Sequence, residues 1–128
     1  MNIFKKLIHL ESNASAFGFR WESAEQILAQ IQSECAEINE LLPPSEERNL
    51  FKLEEEIGDL LHAVFSLCLF CQFDPKSTLA AALNKFEKRL QEVKQIAHEQ
   101  GLVSLQGKAS EELLSIWTKA KARAGCSD

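Results

Sequence analysis

The sequence predicts an all-α fold, an antiparallel bundle of about five helices, on three observations. Helix formers such as Leu, Glu, Ala, Lys and Gln abound, while the 128 residues hold three prolines, five glycines and no tyrosine. Apolar residues recur at the ~3.6-residue spacing of a helix in successive segments. Cap and stop residues fall between those segments, and no strand pattern competes with them. A hydrophobic content of 45% suits a single domain, 1–128, with a real core.

Each element has its own signals. A first helix is expected from about Ile3 to Ala16, ended by Phe17-Gly18-Phe19. Ser23 with Gln26 three residues on has the pattern of a capping box, opening a second helix to about Leu42. Pro43 and Pro44 stop it, and Ser45 can cap a third helix running to about Gln72. Asp74-Pro75 is a cap followed by proline at the first helical position, and this fourth helix ends at Gly101. Val103 to Gly107 reads as a loop, and Ser110 can cap a last helix to about Ala122. There is no internal repeat and no low-complexity tract.

Charge and hydropathy exclude several classes. A net charge of -5 and a pI near 5.3 argue against nucleic acid as a partner, because such a binder needs a basic face. Met1 to Leu10 carries Lys5 and Lys6 but too short an apolar run for a signal peptide. Ile57 to Phe73 is the most apolar stretch, yet Asp59, His62 and Ser66 break it short of a membrane span. The expectation is a soluble, cytoplasmic protein. Cys35, Cys68, Cys71 and Cys126 read as reduced thiols filling small core positions. Cys68-Leu-Phe-Cys71 lies inside the apolar helix without the second pair that a zinc site needs.

The acids carry the chemistry. In the second helix Ile27, Leu28, Ile31, Cys35, Ile38, Leu41 and Leu42 form one apolar stripe. Glu34 falls inside that stripe and Glu37 at its edge, whereas solvated residues such as Glu25, Asn39 and Glu40 lie opposite. An acid on a buried face needs a partner. In the third helix Leu50, Leu53, Ile57, Leu60, Leu61, Val64 and Cys68 make the core stripe, with Glu56 and Asp59 on its flank. Glu34-x-x-Glu37 and Glu56-x-x-Asp59 each project two carboxylates from one side of a helix. Packed together, the two helices bring four carboxylates into one cleft, where they repel unless a cation compensates. Ligation by oxygen alone favours Mg²⁺, or Mn²⁺, over iron. A ferritin-like di-iron site would want two Glu-x-x-His motifs, and Asp59-Leu-Leu-His62 is the nearest approach, once. The plainer alternative is that all four acids are solvated helix positions. Beyond Asp59 the third helix is apolar almost all round, more than a short chain can cover alone, which points to a homodimer or higher homo-oligomer. Trp21, Phe17 and Phe19 are expected in the core.

Longer segments sharpen this. Phe17-Gly-Phe-Arg-Trp21, Ser33-Glu-Cys-Ala-Glu37 and Glu54-Glu-Glu-Ile-Gly-Asp-Leu-Leu61 resemble the MazG nucleoside triphosphate pyrophosphohydrolases, whose pattern is E-x-x-E, a gap, then E-x-x-D. The likeness continues through Asn84-Lys-Phe-Glu-Lys-Arg89 and Ile116-Trp-Thr-Lys-Ala-Lys121, covering nearly the whole chain from about Phe17. Two positions depart from it: Ser33, where many members carry a further glutamate, and His62, where phenylalanine is common. The first bears on metal affinity and the second on packing. The resemblance implies Mg²⁺-dependent hydrolysis of a nucleoside triphosphate to the monophosphate and pyrophosphate. It implies that Glu34, Glu37, Glu56 and Asp59 hold the metal, one glutamate orienting or deprotonating the attacking water.

A triphosphate also needs cations. Arg48 and Lys52 lie four apart at the start of the third helix, and Lys85 and Arg89 repeat that spacing on the fourth. Charges so placed are most often simply solvated; the MazG pattern puts phosphate-binding cations at matching positions. Trp117 matches a family tryptophan that can stack on the base, or it anchors the last helix in the core. Nucleotide-pool clearance follows from the resemblance alone. The rival readings are a non-catalytic dimerisation or partner-binding module, and a pyrophosphohydrolase for another substrate such as phosphoribosyl-ATP.

Overall fold

A computed structural model describes residues 2–43 and 47–125, the side chains of Glu47 and Arg48 excepted. Among them are five helices and no strand: α1 (Ile3–Phe17), α2 (Ala24–Glu40), α3 (Glu47–Phe70), α4 (Pro75–Glu99) and α5 (Ser110–Arg123). The expected all-α class is what forms. No single helix among the described residues is long and apolar enough to cross a membrane. Pro44, the Ser45 cap and Cys126 lie outside the described residues.

The punctuation acts locally as its chemistry requires. Gly18, at φ 99°, closes α1 in the left-handed conformation, with the Phe19 N–H donating to the Ala14 carbonyl at 2.9 Å. The Ser23 hydroxyl accepts the Gln26 N–H at 3.2 Å to open α2. The Gln26 side chain accepts from the Glu22 N–H at 2.7 Å, one residue earlier than a regular capping box would place it. Asp74 accepts the Ser77 N–H at 2.9 Å, ahead of Pro75 at the first position of α4. One expectation is corrected: Ser110 is the first residue of α5, and the cap position is Ala109, which has no side-chain acceptor to offer.

The chain divides into two compact units, 1–78 and 79–128. In the first, α2 and α3 pack against each other. α1 lies on α3 through an edge-to-face pair of Phe4 and Phe65, ring centroids 5.6 Å apart. A polar contact joins the same helices: His62 Nε2 donates to Glu11 Oε1 at 2.9 Å, and the buried Ser66 hydroxyl donates to the same oxygen. Ile27, Ala63 and Pro75 are the buried apolar residues among those described here. In the second unit Ile96 of α4 meets Ile116 and Ala120 of α5, with Val93 and Leu105 packed around them. Arg123 donates to both carboxylate oxygens of Glu99, each at 2.8 Å, tying the ends of α4 and α5 together.

The expected apolar stripes prove wider than the faces that are covered. Leu28 and Leu42 of the α2 segment, and Leu50, Ile57, Leu61 and Val64 of α3, stand exposed. An open apolar hollow of about 590 Å³ lies along α3, lined by Leu50, Phe51, Leu53, Glu54 and Ile57. The aromatic expectation is also corrected: Phe17 and Phe19 are 91% and 81% exposed, flanking the turn at Gly18 where neither ring meets a helix face. Cys35 and Cys71 are exposed as well, and Cys68 is half-buried.

Candidate metal centre

Glu34 lies two residues past the midpoint of α2, and Glu56 and Asp59 lie about one turn apart on α3. The packing of these two helices brings the acids together: one oxygen from each of Glu34, Glu56 and Asp59 lies within 4.8 Å of the others. Glu34 and Glu56 are only 7% and 8% exposed, whereas Asp59 and Glu37 open to solvent. The position of Glu34 inside the α2 stripe therefore does translate into burial.

The electrostatics show the cost of this gathering. The Glu56 carboxyl is pushed up from 4.5 to about 7. The adjacent Glu37 carboxyl raises it most and Glu34 next, by favouring the protonated form; burial and repulsion from the same two carboxylates add to the rise. Glu37 thus reaches the site through Glu56, although it stands outside the three-oxygen group. Glu34 Oε2 and Glu56 Oε2 are both buried without a hydrogen-bond partner. A buried, unpartnered carboxylate oxygen is unfavourable, and here two belong to the same cluster. An oxygen-seeking divalent cation meets that need, so the residues present fit a hard divalent metal ion.

Gly58 sits between these acids on α3, and a Cβ built there would meet nothing within 4 Å. Sequence reasoning missed one participant of the centre and one contact outside it. Gln30 donates through Nε2 to Glu34 Oε1 at 2.8 Å, and its signal was the i, i+4 spacing on α2. Glu11 had no signal, since its partners lie more than fifty residues away.

The expected substrate residues fall in different places. Lys52 is on the first turns of α3, one turn before Glu56, and the side chain of Arg48 lies outside the described residues. In the second unit Arg89 is buried, its guanidinium 5.6 Å from the centre of the Trp117 ring. Phe86 packs on that ring too, centroid to centroid 6.1 Å, another contact the sequence did not reveal. Trp117 is thus half-buried in a small aromatic and cationic cluster, while Lys85 is on the exposed side of α4.

A family model for the MazG nucleotide pyrophosphohydrolase domain matches residues 22–94, a span that holds all four acids. The chain belongs to the MazG family. A MazG protein of Thermotoga maritima, named as a nucleoside triphosphate pyrophosphohydrolase/pyrophosphatase, is 37% identical over 112 residues, 88% of this chain and 41% of that protein. A nucleoside triphosphate pyrophosphohydrolase of Escherichia coli K12 is 28% identical over 114 residues, 88% of this chain and 42% of its own length. The chain therefore spans about two fifths of the length of these two relatives.

Proposed function

We propose that this chain hydrolyses nucleoside triphosphates to the monophosphate and pyrophosphate in a Mg²⁺-dependent reaction. The observation that carries the reading is the gathering of Glu34, Glu56 and Asp59 oxygens within 4.8 Å, two of the three acids having a buried oxygen without a partner. Family membership and the activity named for the relatives support the substrate class. Glu34, Glu37, Glu56 and Asp59 would hold the ion, which when bound neutralises charge on the phosphate oxygens. The carboxylates orient a water and one of them receives its proton. The water oxygen bonds to the α-phosphorus, the α–β anhydride bond breaks, and its electron pair leaves with pyrophosphate. Contacts to the nucleotide from Arg48, Lys52, Lys85, Arg89 and Trp117 are proposed on the family pattern.

The family match runs from residue 22 to 94, across the junction of the two units at Thr78 and Leu79, which supports reading 1–128 as one domain. The exposed apolar residues of α3 support a homodimer that covers them. Clearance of surplus or damaged nucleotides in the cytoplasm completes the proposal.

The test is pyrophosphate release across a panel of nucleoside triphosphates, with phosphoribosyl-ATP included. Wild type should release pyrophosphate only with a divalent ion present. Glu56→Gln and Asp59→Asn should each lower the rate by about 100-fold or more while the helical circular dichroism persists. Undiminished rates in both variants would reject the assignment.

A further inference from the structure

We infer that Gln30 is a positioning residue for the metal centre, acting through Glu34 and resting on the four-carboxylate reading above. Gln30 lies one turn before Glu34 on α2, and its Nε2 donates to Glu34 Oε1 at 2.8 Å. An ionised carboxylate only accepts, so the amide must present its NH₂ to that oxygen. Holding Oε1 fixes the plane of the carboxylate and with it the direction of Oε2, which is buried and has no hydrogen-bond partner. One Glu34 oxygen already lies within 4.8 Å of ligand atoms of Glu56 and Asp59. The amide thereby removes a rotational freedom that an incoming cation would otherwise have to freeze.

The residue type suits the task. A glutamate at position 30 would add another anion to a cleft that already gathers the Glu34, Glu56 and Asp59 carboxylates. A lysine would supply a donor but also a positive charge that competes with the cation. A neutral amide orients the carboxylate and leaves the charge of the centre unchanged. Gln32, two residues on, lies on a different side of the helix and serves as the control.

The experiment uses Mn²⁺ alone as the probe, its free concentration read by electron paramagnetic resonance during titration of the full chain. Removing an outer hydrogen-bond partner of a metal ligand weakens affinity by about 10- to 100-fold. Gln30→Leu and Gln30→Asn, the second keeping the amide but one carbon too short, should each weaken Mn²⁺ binding to that degree. Gln32→Leu should bind as wild type does. Thermal midpoints in EDTA should stay within a few degrees of wild type for all three, which separates positioning from a role in helix stability. Wild-type affinity in both Gln30 variants would overturn the inference, as would an equal loss in Gln32→Leu. A fall in affinity accompanied by a matching fall in the EDTA midpoint would overturn it too. If wild type binds no Mn²⁺, the four-carboxylate reading fails and the inference with it.

Discussion

The two units spend their buried positions differently. Among the described residues of 1–78 the buried side chains include Glu34, Glu56 and Ser66, with Ile27, Ala63 and Pro75 as the apolar share. In residues 79–128 they are Ile96, Ala97, Ile116 and Ala120, with Arg89 covered by Trp117. The second unit also closes its helix ends with a two-pronged Glu99–Arg123 pair. Burial of apolar surface stabilises, whereas burial of like charges opposes folding until something neutralises them. The first unit therefore gathers buried like charges, whereas the second buries a mainly apolar cluster.

The largest effect that tests this contrast is a truncation in the second unit. Ile116→Ala should cost about 3 kcal/mol, because it removes most of a buried side chain from a small cluster. Chemical denaturation would read it, and a cost no larger than a surface substitution would break the comparison. Next comes ligand stabilisation. Mg²⁺ with a nucleotide at about 100 times its dissociation constant should add about 2.7 kcal/mol. Hydrogen exchange should show the added protection first on α2 and α3, and Glu56→Gln should abolish it. Protection confined to α5 would reverse the assignment of the two units.

The smallest effect is the most diagnostic, because its sign differs between the units. Glu56 holds its proton more tightly folded than unfolded. Its contribution is thus most favourable below about pH 4.5 and is lost as pH rises through about 7. Glu99 is shifted the other way: the hydrogen bonds from Arg123 hold its carboxyl below the ordinary 4.5. Its contribution is present above that value and is lost as the solution becomes more acid. Without metal, exchange protection of α2 and α3 should decline between pH 4.5 and 7, and Glu56→Gln should flatten that decline. Protection of the α4 and α5 ends should decline only below 4.5. Parallel trends in both units would show that these carboxyls do not govern them.

Much of this was legible in the residues, for reasons that differ by feature. Ser23, Asp74, Gly18 and Gly101 act on backbone groups within a few positions, so helix limits came through. Glu34 was legible because an acid inside an apolar stripe contradicts its own helix. Phe17 and Phe19 misled because hydrophobicity states a preference for burial and not the presence of a covering partner. Cys35 and Cys71 misled for the same reason. Ser110 was misjudged by one position, since the cap is set by where the chain enters the helix and not by which residue could serve. Gln30 showed only an i, i+4 spacing, which does not fix side-chain direction, and Glu11 was invisible because its contact lies far along the chain.

That contact of Glu11 has a mechanical side. His62 and Ser66 grip the same oxygen from adjacent turns of α3, and His62 stands a single turn beyond Asp59 on that rod. The N-terminal helix thus bears on α3 at the very stretch where the outer acid is mounted. Together with the Phe4–Phe65 pair, that one carboxylate seats α1 on α3 beside the acid's mounting.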